Sequence, residues 1–524
     1  MVRIRELNIS IDDDSMDKIK EKIIKKYKLN KDDIKNIKIV KKSIDARRKN
    51  NVHYVYELDI SLENEDKILK FGNAILSPNE DFVFNITGKE KMNKRIVIVG
   101  SGPAGLFCAY ILAENGYKPL VIERGEKVED RVKTVNKFFS SGILSFSSNV
   151  QFGEGGAGTF SDGKLNTLVK DKEFIGKKVF EIFVKNGAPS EIMYENNPHI
   201  GTDILVDVVK NIRNDIISMG GEFSYNSCLT DLIIEDNKLK QIVINNSDII
   251  ECDNLILAIG HSARDTFKML YEKGISMSPK SFAIGIRIQH PQEFINKNQY
   301  GEFYKKLPPA NYKLTYKSKS GRGVYSFCMC PGGYVVNSSS EEGRLVINGM
   351  SNYKRDSINA NSALVVTVSE NDFGFHPLDG LKFQQTLEEA AFKCGKGKIP
   401  TQLLSDFYEN KISDKIKSVN PVFKGDYNFS NINDILPKYI CDDLKEAIKY
   451  FDTKIKGYNM NDAIVSAVES RTSSPIRIKR DELYMSNIKG IYPIGEGAGY
   501  SGGITTSAMD GVRMAKCIAK IYRC

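Results

Sequence analysis

The sequence lacks several features that mark whole classes of protein. Only five histidines occur among its 524 residues, and all of them are isolated in the chain. A metal site built from histidines is therefore not expected, and no metal is predicted. Nine cysteines stand at irregular spacings without a C-x-x-C pattern, which favours reduced thiols over a disulfide framework or a zinc site.

Long apolar runs are absent as well. No uninterrupted apolar stretch approaches the roughly eighteen residues that a membrane span requires, and the opening residues MVRIRELNISIDDDS hold no signal-peptide core. The net charge of +9 is spread over 75 basic and 66 acidic residues, and lysine-rich stretches such as KIKEKIIKKYK are interrupted by other residues. That pattern favours a solvated helix face over a nucleic-acid patch. We expect a cytoplasmic protein without a membrane or nucleic-acid partner.

The organisation along the chain predicts an α/β protein of three domains, one of them split. Residues 1–90 read as a small α+β unit of ferredoxin-like type. Residues 94–265 begin with a buried strand, a glycine turn, a helix and a second strand, which predicts a Rossmann-like dinucleotide-binding domain. Residues 266–460 are first rich in β-formers and then helical, as expected of an inserted mixed α+β substrate domain. Residues 461–524 then return to the dinucleotide-binding domain.

The segment VIVGSGPAGLFCAY carries the clearest chemical signal. Gly100, Gly102 and Gly105 form G-x-G-x-x-G directly after a strand and at the start of a helix. This spacing permits a tight turn, a close approach of the backbone to a pyrophosphate and close helix–strand packing. Glu123 ends the second strand, where a carboxylate can hold the ribose hydroxyls of an adenosine. The pattern predicts a bound dinucleotide.

The C-terminal segment YPIGEGAGYSGGITTSAMDG indicates which dinucleotide this is. The long isoalloxazine end of FAD must be met by segments beyond the first βαβ unit, and here an acidic turn and a glycine run lead into the last helix. Glu496 can accept hydrogen bonds from ribityl hydroxyls, and the helix that starts near Gly502 and Gly503 can aim its N–H groups at the flavin pyrimidine edge. Gly260, the last residue of the segment NLILAIG, marks the point where the chain leaves the domain.

A third glycine-rich loop, VQFGEGGAGTFSDGKLNT, can lie against the pyrophosphate or the flavin face. The complete set of predicted cofactor residues is Gly100, Gly102, Pro103, Ala104, Gly105, Glu123, Arg124, Gly155, Gly156, Gly158, Thr159, Gly260, Gly495, Glu496, Gly502, Gly503 and Ile504.

These stretches resemble the class of flavoproteins with two dinucleotide-binding motifs. More closely, the chain resembles a bacterial family of poorly characterised FAD-dependent dehydrogenases with a small N-terminal α+β domain. The resemblance rests on blocks along nearly the whole chain, among them SIDARRKNNVHYVYELDI, NPHIGTDIL, YSFCMCPGGYVV, ESRTSSPIRI and GEGAGYSGGITTSAMDG. It implies FAD and redox chemistry, and no substrate comes with it.

Departures from better-known flavoproteins narrow the function. The chain has no C-x-x-C of the glutathione reductase kind and no second G-x-G-x-x-G after a strand. NAD(P)H would therefore act as electron donor without a dedicated Rossmann domain. The loop around Gly155 holds no histidine, so we expect the FAD to be bound non-covalently.

The predicted function is an FAD-dependent oxidoreductase that moves a hydride between FAD and a small molecule. The candidate catalytic residues are Arg287, His290 and Arg471, with Arg355 as a further substrate-facing residue. The arginines would suit an anionic substrate. Two alternatives are a flavin-dependent RNA-modifying protein and a flavin-bound redox sensor without turnover.

Cys328 and Cys330 are the two cysteines that lie close together in sequence. β-Formers surround them, so a regular strand with both side chains on one face is expected. Their Cα atoms would then lie about 6.5 Å apart, at the upper edge of disulfide geometry, and Met329 would have to buckle out of the strand to close the ring. The sequence therefore argues against a redox dithiol at this place.

Overall fold

The computed structural model describes residues 1–167 and 169–524 of the chain. Its N-terminal part is a four-stranded antiparallel sheet in the order β2-β3-β1-β4 with two helices, which is the ferredoxin-like arrangement. Isoleucines of β1 and of α1 are buried together in its core. The elements are β1 (Val2–Ser10), α1 (Met16–Tyr27), β2 (Ile34–Asp45), β3 (His53–Leu62), α2 (Asp66–Leu69), β4 (Ala74–Leu76) and β5 (Glu90–Lys91).

The next part builds a five-stranded parallel sheet in the order β25-β12-β6-β7-β8. All four residues of β6, Ile-Val-Ile-Val, are buried, as expected of a central parallel strand. Its elements are β6 (Ile96–Val99), α3 (Pro103–Glu114), β7 (Leu120–Ile122), α4 (Val128–Ser141), α5 (Ile175–Lys185), α6 (Thr202–Ser218), β8 (Glu222–Ser224), β9 (Leu229–Glu235), β10 (Lys238–Ile244), β11 (Asp248–Glu251), β12 (Asn254–Leu257) and α7 (Arg264–Glu272).

A seven-stranded mixed sheet in the order β15-β16-β19-β14-β23-β20-β22 dominates the rest of the chain. Its long strands β14 and β19 pair antiparallel along ten residues and are almost wholly buried. The elements are β13 (Met277–Pro279), β14 (Phe282–Pro291), α8 (Gln292–Tyr300), β15 (Thr315–Lys317), β16 (Gly323–Cys330), β17 (Tyr334–Asn337), β18 (Ile347–Met350), β19 (Asn359–Val368), α9 (Glu370–Phe373), α10 (Asp379–Gly395), β20 (Ile399–Leu403), α11 (Leu404–Glu409), β21 (Phe423–Lys424), β22 (Tyr427–Phe429), α12 (Lys438–Phe451), β23 (Ile464–Glu469), β24 (Ile476–Ile478), β25 (Ile491–Pro493), α13 (Ile504–Ile521) and β26 (Tyr522–Arg523).

The last helix, α13, packs directly against α3. A Cβ atom on Gly511 of α13 would lie 2.1 Å from the carbonyl oxygen of Ala104 in α3, so a glycine is needed for this approach. Because β25 joins the edge of the parallel sheet beside β12, the chain end returns to the domain that begins at β6. The predicted fold class, a split Rossmann-like domain with an inserted mixed domain and an N-terminal ferredoxin-like unit, is confirmed.

Strand β16 differs from the regular strand that the sequence predicts. Its pairing with β19 advances from Phe327 to Cys330 while β19 advances only from Ala363 to Asn361, which is a β-bulge. Cys328 lies inside the bulge with a φ of 42°, in the left-handed region. The geometric argument against a contact between the two cysteines therefore does not hold.

Over the part of the chain that the structure describes, no helix combines the length and the apolar composition needed to cross a membrane.

Candidate functional site

A cavity of about 470 Å³ lies at the carboxyl end of the parallel sheet and reaches the seven-stranded sheet. Its walls include the turn after β6, the end of β7, the loop after β12 and the start of α13. Crevices of this position and size are where open α/β sheets bind their ligands. At the opposite end the wall is formed by residues of β16 and β23 from the seven-stranded sheet and of β18 from a three-stranded sheet, so three sheets contribute to one cavity.

The turn between β6 and α3 presents unpaired backbone donors to the cavity. Gly102 is the N-cap of α3 and supplies no side-chain cap, and Pro103 follows it as the first helical residue. A Cβ atom on Gly105 would lie 1.9 Å from the carbonyl oxygen of Gly100, so helix and turn are in direct contact. The positive end of the helix dipole points into this turn, where a phosphate is stabilised.

Glu123 organises the same turn from the end of β7. One carboxylate oxygen accepts hydrogen bonds from the N–H and the hydroxyl of Ser101, at 2.9 and 2.8 Å. The other accepts from the N–H groups of Gly125 and Gly153, at 3.0 and 3.1 Å. The buried carboxylate thus joins the first glycine turn to the third glycine-rich loop.

Arg131 holds that third loop from behind. Its guanidinium, which is fully buried, donates to the carbonyl oxygens of five loop residues, namely Asn149, Val150, Gly153, Glu154 and Gly156. Burial lowers the pKa of Arg131 to about 10, with nearby glutamates acting in the opposite direction. A single side chain from α4 therefore fixes the shape of one cavity wall.

The start of α13 forms another wall. Gly503 is the N-cap and supplies no side-chain cap, so the first N–H groups of this long helix are also free. Asp510 accepts from the N–H of Gly495 at 2.8 Å and fixes the turn that carries Glu496. Glu496 in turn contacts His261, with 2.9 Å between its Oε1 and the histidine Nδ1.

Beyond these elements the cavity ends in a cluster of reactive groups. Lys164, Cys328, Asn348 and Glu469 all line this end. Glu469 pairs with Arg287, whose Nε lies 2.7 Å from a carboxylate oxygen. Burial raises the pKa of Glu469 to about 7, and Arg287 only partly offsets this effect. A carboxyl group that titrates near neutral pH can hold or release a proton under physiological conditions.

The open positions in this cavity fit a cofactor such as FAD. A Cβ atom added to Gly502 or Gly503 would meet nothing within 4 Å, and one on Gly102 would meet only a backbone atom at 3.8 Å. Room for a ligand rather than packing explains the absence of side chains at Gly102 and Gly502, whereas Gly503 also has a φ of 100° that favours glycine. Among the described residues, the buried Nε2 of His261 also has no hydrogen-bond partner, which leaves it available to a ligand.

Fourteen of the seventeen predicted cofactor residues line the cavity. The exceptions are Gly105, Gly155 and Thr159. Gly105 packs against the turn as described above. Gly155 and Thr159 lie behind the loop, where a Cβ atom on Gly155 would approach the Thr159 hydroxyl at 2.1 Å and a buried valine at 3.1 Å. The structure thus places these two residues in a supporting position behind the loop, and their contact with the cofactor stays a prediction.

The predicted catalytic residues have different surroundings from those expected. His290 does not line the cavity; it is fully buried beside the carbonyl oxygen of Tyr458, and burial lowers its pKa to about 4. Arg287 also lies behind the wall. Arg471 does line the cavity.

The three candidate arginines each pair with a buried carboxylate. Arg287 pairs with Glu469, Arg355 with Asp162 and Arg471 with Glu388. Because these guanidinium charges are already neutralised, the suggestion that they attract an anionic substrate loses its support.

Sequence reasoning missed His261, Lys164, Cys328 and Glu469 as cavity residues. His261 directly follows the predicted Gly260, so its proximity could have been inferred. Glu469 lies two residues before the predicted Arg471, and Lys164 lies within the third glycine-rich loop. Cys328 stood out in the sequence only as one of two neighbouring cysteines, and its place in the cavity depends on the bulge in β16.

Comparison with known protein families agrees with this architecture. Residues 94–270 match a family model described as pyridine nucleotide-disulphide oxidoreductase, and residues 281–472 match one described as FAD-dependent protein, C-terminal domain-like. Residues 1–61 match a domain of unknown function.

One relative spans the whole chain. An uncharacterised protein of Clostridium beijerinckii is 49% identical over 531 residues, which cover 99% of each chain. An L-amino-acid oxidase of Crotalus adamanteus is 52% identical over only 44 residues, 8% of each chain, and so short a segment assigns no substrate. Among solved structures, the halogenase PltM in complex with FAD overlaps 82% of this chain and 70% of its own, with a TM-score of 0.39 and 10% identity.

Proposed function

Because this chain belongs to the same family as the uncharacterised Clostridium beijerinckii protein and is an FAD-dependent oxidoreductase, we propose that its cavity binds FAD non-covalently and presents it to a small molecule. The observation that carries the proposal is the pair of uncapped helix starts, α3 and α13, which face one cavity beside glycines with open space. Two such starts suit a ligand with a phosphate group and a second electron-rich part.

The proposed orientation of the cofactor follows from the residues that would contact each of its parts. Gly102 and Gly156, which approach each other across the cavity wall, would hold the pyrophosphate, and Glu123 would lie beside the adenosine ribose. Glu496 and the start of α13 would hold the ribityl chain and the pyrimidine edge. This leaves the redox-active part of FAD near Lys164 and Glu469.

When bound, FAD supplies a two-electron redox centre. The chain's own residues then bind it, exclude water and manage protons. Glu469 would hold or release a proton at its carboxylate, because its pKa is raised to about 7 by burial. His261, kept in place by Glu496, would donate from or accept at its free Nε2. Arg287 is a positioning residue, since it contacts Glu469 and lies outside the wall.

We further propose that NAD(P)H is the electron donor and reaches the cavity without a second Rossmann domain. The match of residues 94–270 to a pyridine nucleotide-disulphide oxidoreductase model supports this donor.

The test is anaerobic mixing of the yellow protein with NADPH and, separately, with NADH. We expect the visible flavin absorbance to bleach with one of them, and we expect acid precipitation to leave a colourless pellet with free FAD in the supernatant. A pellet that stays yellow would contradict non-covalent binding. Flavin that neither nucleotide bleaches, although dithionite bleaches it, would exclude NAD(P)H as donor.

A further inference from the structure

We propose that Cys328 and Cys330 form a redox dithiol that passes two electrons from the reduced cofactor to a small disulfide substrate. This inference rests on the proposed function, since it requires FAD in the cavity described above. Cys328 lines the cavity, whereas Cys330 stands behind it and is fully buried. One thiol is therefore open to a substrate, and a second lies ready to resolve the bond that the first one forms.

The bulge in β16 is what brings the two thiols together. The extra residue moves Cys328 out of regular strand geometry, and its φ of 42° is rare for a residue with a side chain. The thiol of Cys330 donates to the carbonyl oxygen of Cys328, with 3.3 Å between the sulfur and the oxygen. β-Bulges often occur beside active sites, where they redirect a side chain.

Two cations hold the bulge in this form. Arg287 donates to the carbonyl oxygen of Cys328 at 3.2 Å, and Lys164 donates to the carbonyl oxygen of Met329. Arg287 is itself fixed by Asn361 at 2.7 Å. A strained backbone that two cations support at consecutive carbonyl groups is a built feature of the fold.

The charges around Cys328 favour its thiolate. The hydrogen bond from Cys330 lowers the pKa of Cys328 well below its ordinary value; burial opposes this effect, and Lys164 and Arg287 add to it. Asp162 acts in the opposite direction. The pKa of Cys330 is raised by the same hydrogen bond and by burial, so this thiol keeps its proton. A thiolate in front and a thiol behind suit nucleophilic attack followed by resolution.

The reaction balances as follows. The Cys328 thiolate attacks one sulfur of the substrate disulfide, a mixed disulfide forms, and the first substrate thiolate leaves and takes up a proton. Cys330 then loses its proton and attacks the Cys328 sulfur, which releases the second substrate thiol and closes the Cys328–Cys330 disulfide. A hydride from NAD(P)H, which carries two electrons and one proton, then passes through the bound cofactor and restores the Cys328 thiolate and the Cys330 thiol.

The test uses the full-length holoprotein and hydroxyethyl disulfide as the probe. The protein is reduced, freed of reductant under anaerobic conditions, exposed to the probe, alkylated and mapped by mass spectrometry. We expect the peptide with both cysteines to lose two hydrogen atoms, while partly buried Cys228, the matched control, stays alkylatable. Added NAD(P)H should reopen the disulfide and make both thiols alkylatable again.

Two variants identify the order of attack. Cys330→Ser should trap the probe as a mixed disulfide on Cys328, and Cys328→Ser should take up no probe at either position. Cys330→Ser, which changes a residue outside the cavity wall, should keep bound FAD and its bleaching by NAD(P)H.

Distinct outcomes separate this inference from the proposed function. If wild-type protein bleaches with NAD(P)H but forms no Cys328–Cys330 disulfide, the dithiol is overturned and the flavin function stands. A disulfide that forms but is not reopened by NAD(P)H, while the flavin bleaches, overturns the coupling between the two. Protein that binds no FAD contradicts the proposed function itself, and the mapping of the disulfide still reports on the thiols.

Discussion

Among single residues of the cavity wall, Glu469 is the buried charged group with the most direct connection to proton transfer. Its side chain is almost fully buried, and its partner Arg287 offsets only part of the cost of burying the charge. The folded-state pKa of about 7 lies above the unfolded value of about 4.3. The protonated form therefore favours folding, and this contribution is complete below about pH 4.3 and is lost as the pH rises towards 7.

We predict that the infrared spectrum of the protein contains a protonated-carboxyl band that disappears as the pH rises through about 7. In Glu469→Gln this band should be absent over the same pH range, because an amide cannot ionise. Glu341→Gln, which changes another carboxylate that pairs with buried arginines, is the control and should leave the band in place. A band that persists in Glu469→Gln would assign the titrating group elsewhere.

A second prediction at this scale concerns Glu123. Its removal leaves the N–H groups of Ser101, Gly125 and Gly153 without their acceptor, so Glu123→Ala should weaken FAD binding by about 1.5 to 3 kcal/mol. The measurement is the FAD dissociation constant from a fluorescence titration of apoprotein. Glu126→Ala, a nearby change that removes a contact with Thr134, should leave the constant nearly unchanged. Equal FAD dissociation constants for the wild-type protein, Glu123→Ala and Glu126→Ala would show that the adenosine lies elsewhere.

The contrast between Glu123 and Glu469 shows what sequence can predict for single residues. Glu123 stands at a fixed spacing from a glycine motif within one βαβ unit, so local pattern assigns its position. The surroundings of Glu469 depend on Arg287, which lies on another strand of the seven-stranded sheet. For the same reason the sequence indicates Arg355 and Arg471 as candidates but not the carboxylates that neutralise them, because burial and ion pairing arise from tertiary contacts.

Among the structural elements, the start of α3 offers a sharp comparison of two glycines. A Cβ atom on Gly102 meets only open space and one backbone atom at 3.8 Å, whereas one on Gly105 would lie 1.9 Å from the oxygen of Gly100. We predict that Gly102→Ala folds with a near-normal melting temperature but binds FAD poorly, because the methyl group occupies the phosphate position. Gly105→Ala should instead lower the melting temperature of the apoprotein, since the backbone must move.

Thermal unfolding of both apoproteins and FAD titration of Gly102→Ala are the measurements. Tight FAD binding by Gly102→Ala would show that the phosphate does not bind at this turn. Normal stability of Gly105→Ala would contradict the close approach of helix and turn.

Strand β16 marks the limit of prediction for elements. Its β-forming residues correctly predict a strand, but the bulge at Cys328 has no signature in the local sequence. The bulge depends on Arg287 and Lys164, which come from other parts of the chain and donate hydrogen bonds to carbonyl groups of the bulge. The sequence argument against a dithiol was therefore wrong in its geometry, because it assumed a regular strand.

For the whole molecule, the predicted fold class is confirmed, and the domain boundaries at residues 90, 265 and 460 stay predictions. The Rossmann motif and the C-terminal glycine run are recognisable because each is a local pattern. The contact that joins the two large sheets is not local. Arg264 at the start of α7, Glu388 in α10 and Arg471 after β23 meet in one buried cluster.

The geometry of this cluster makes Glu388 its centre. Its carboxylate accepts from Arg264 at 2.7 and 2.8 Å and from Arg471 at 2.7 and 2.9 Å. Burial alone would raise the pKa of Glu388, but the two arginines outweigh it and hold the pKa well below its ordinary range. The contribution of this carboxylate to stability is therefore present above the unfolded pKa of about 4.3 and is lost as the pH falls below it.

We predict that Glu388→Ala costs about 3 to 5 kcal/mol of stability, because it leaves two buried guanidinium groups short of a counter-charge. The measurement is the shift of the denaturation midpoint at neutral pH, followed both by flavin fluorescence and by far-UV circular dichroism. Glu389→Ala, the neighbouring change, removes a more exposed pair with Arg344 and should cost about 0 to 1 kcal/mol. If the cluster joins the two sheets, flavin release in Glu388→Ala should precede the loss of secondary structure. Equal shifts of the denaturation midpoint in Glu388→Ala and Glu389→Ala would show that Glu388 does not hold the two sheets together.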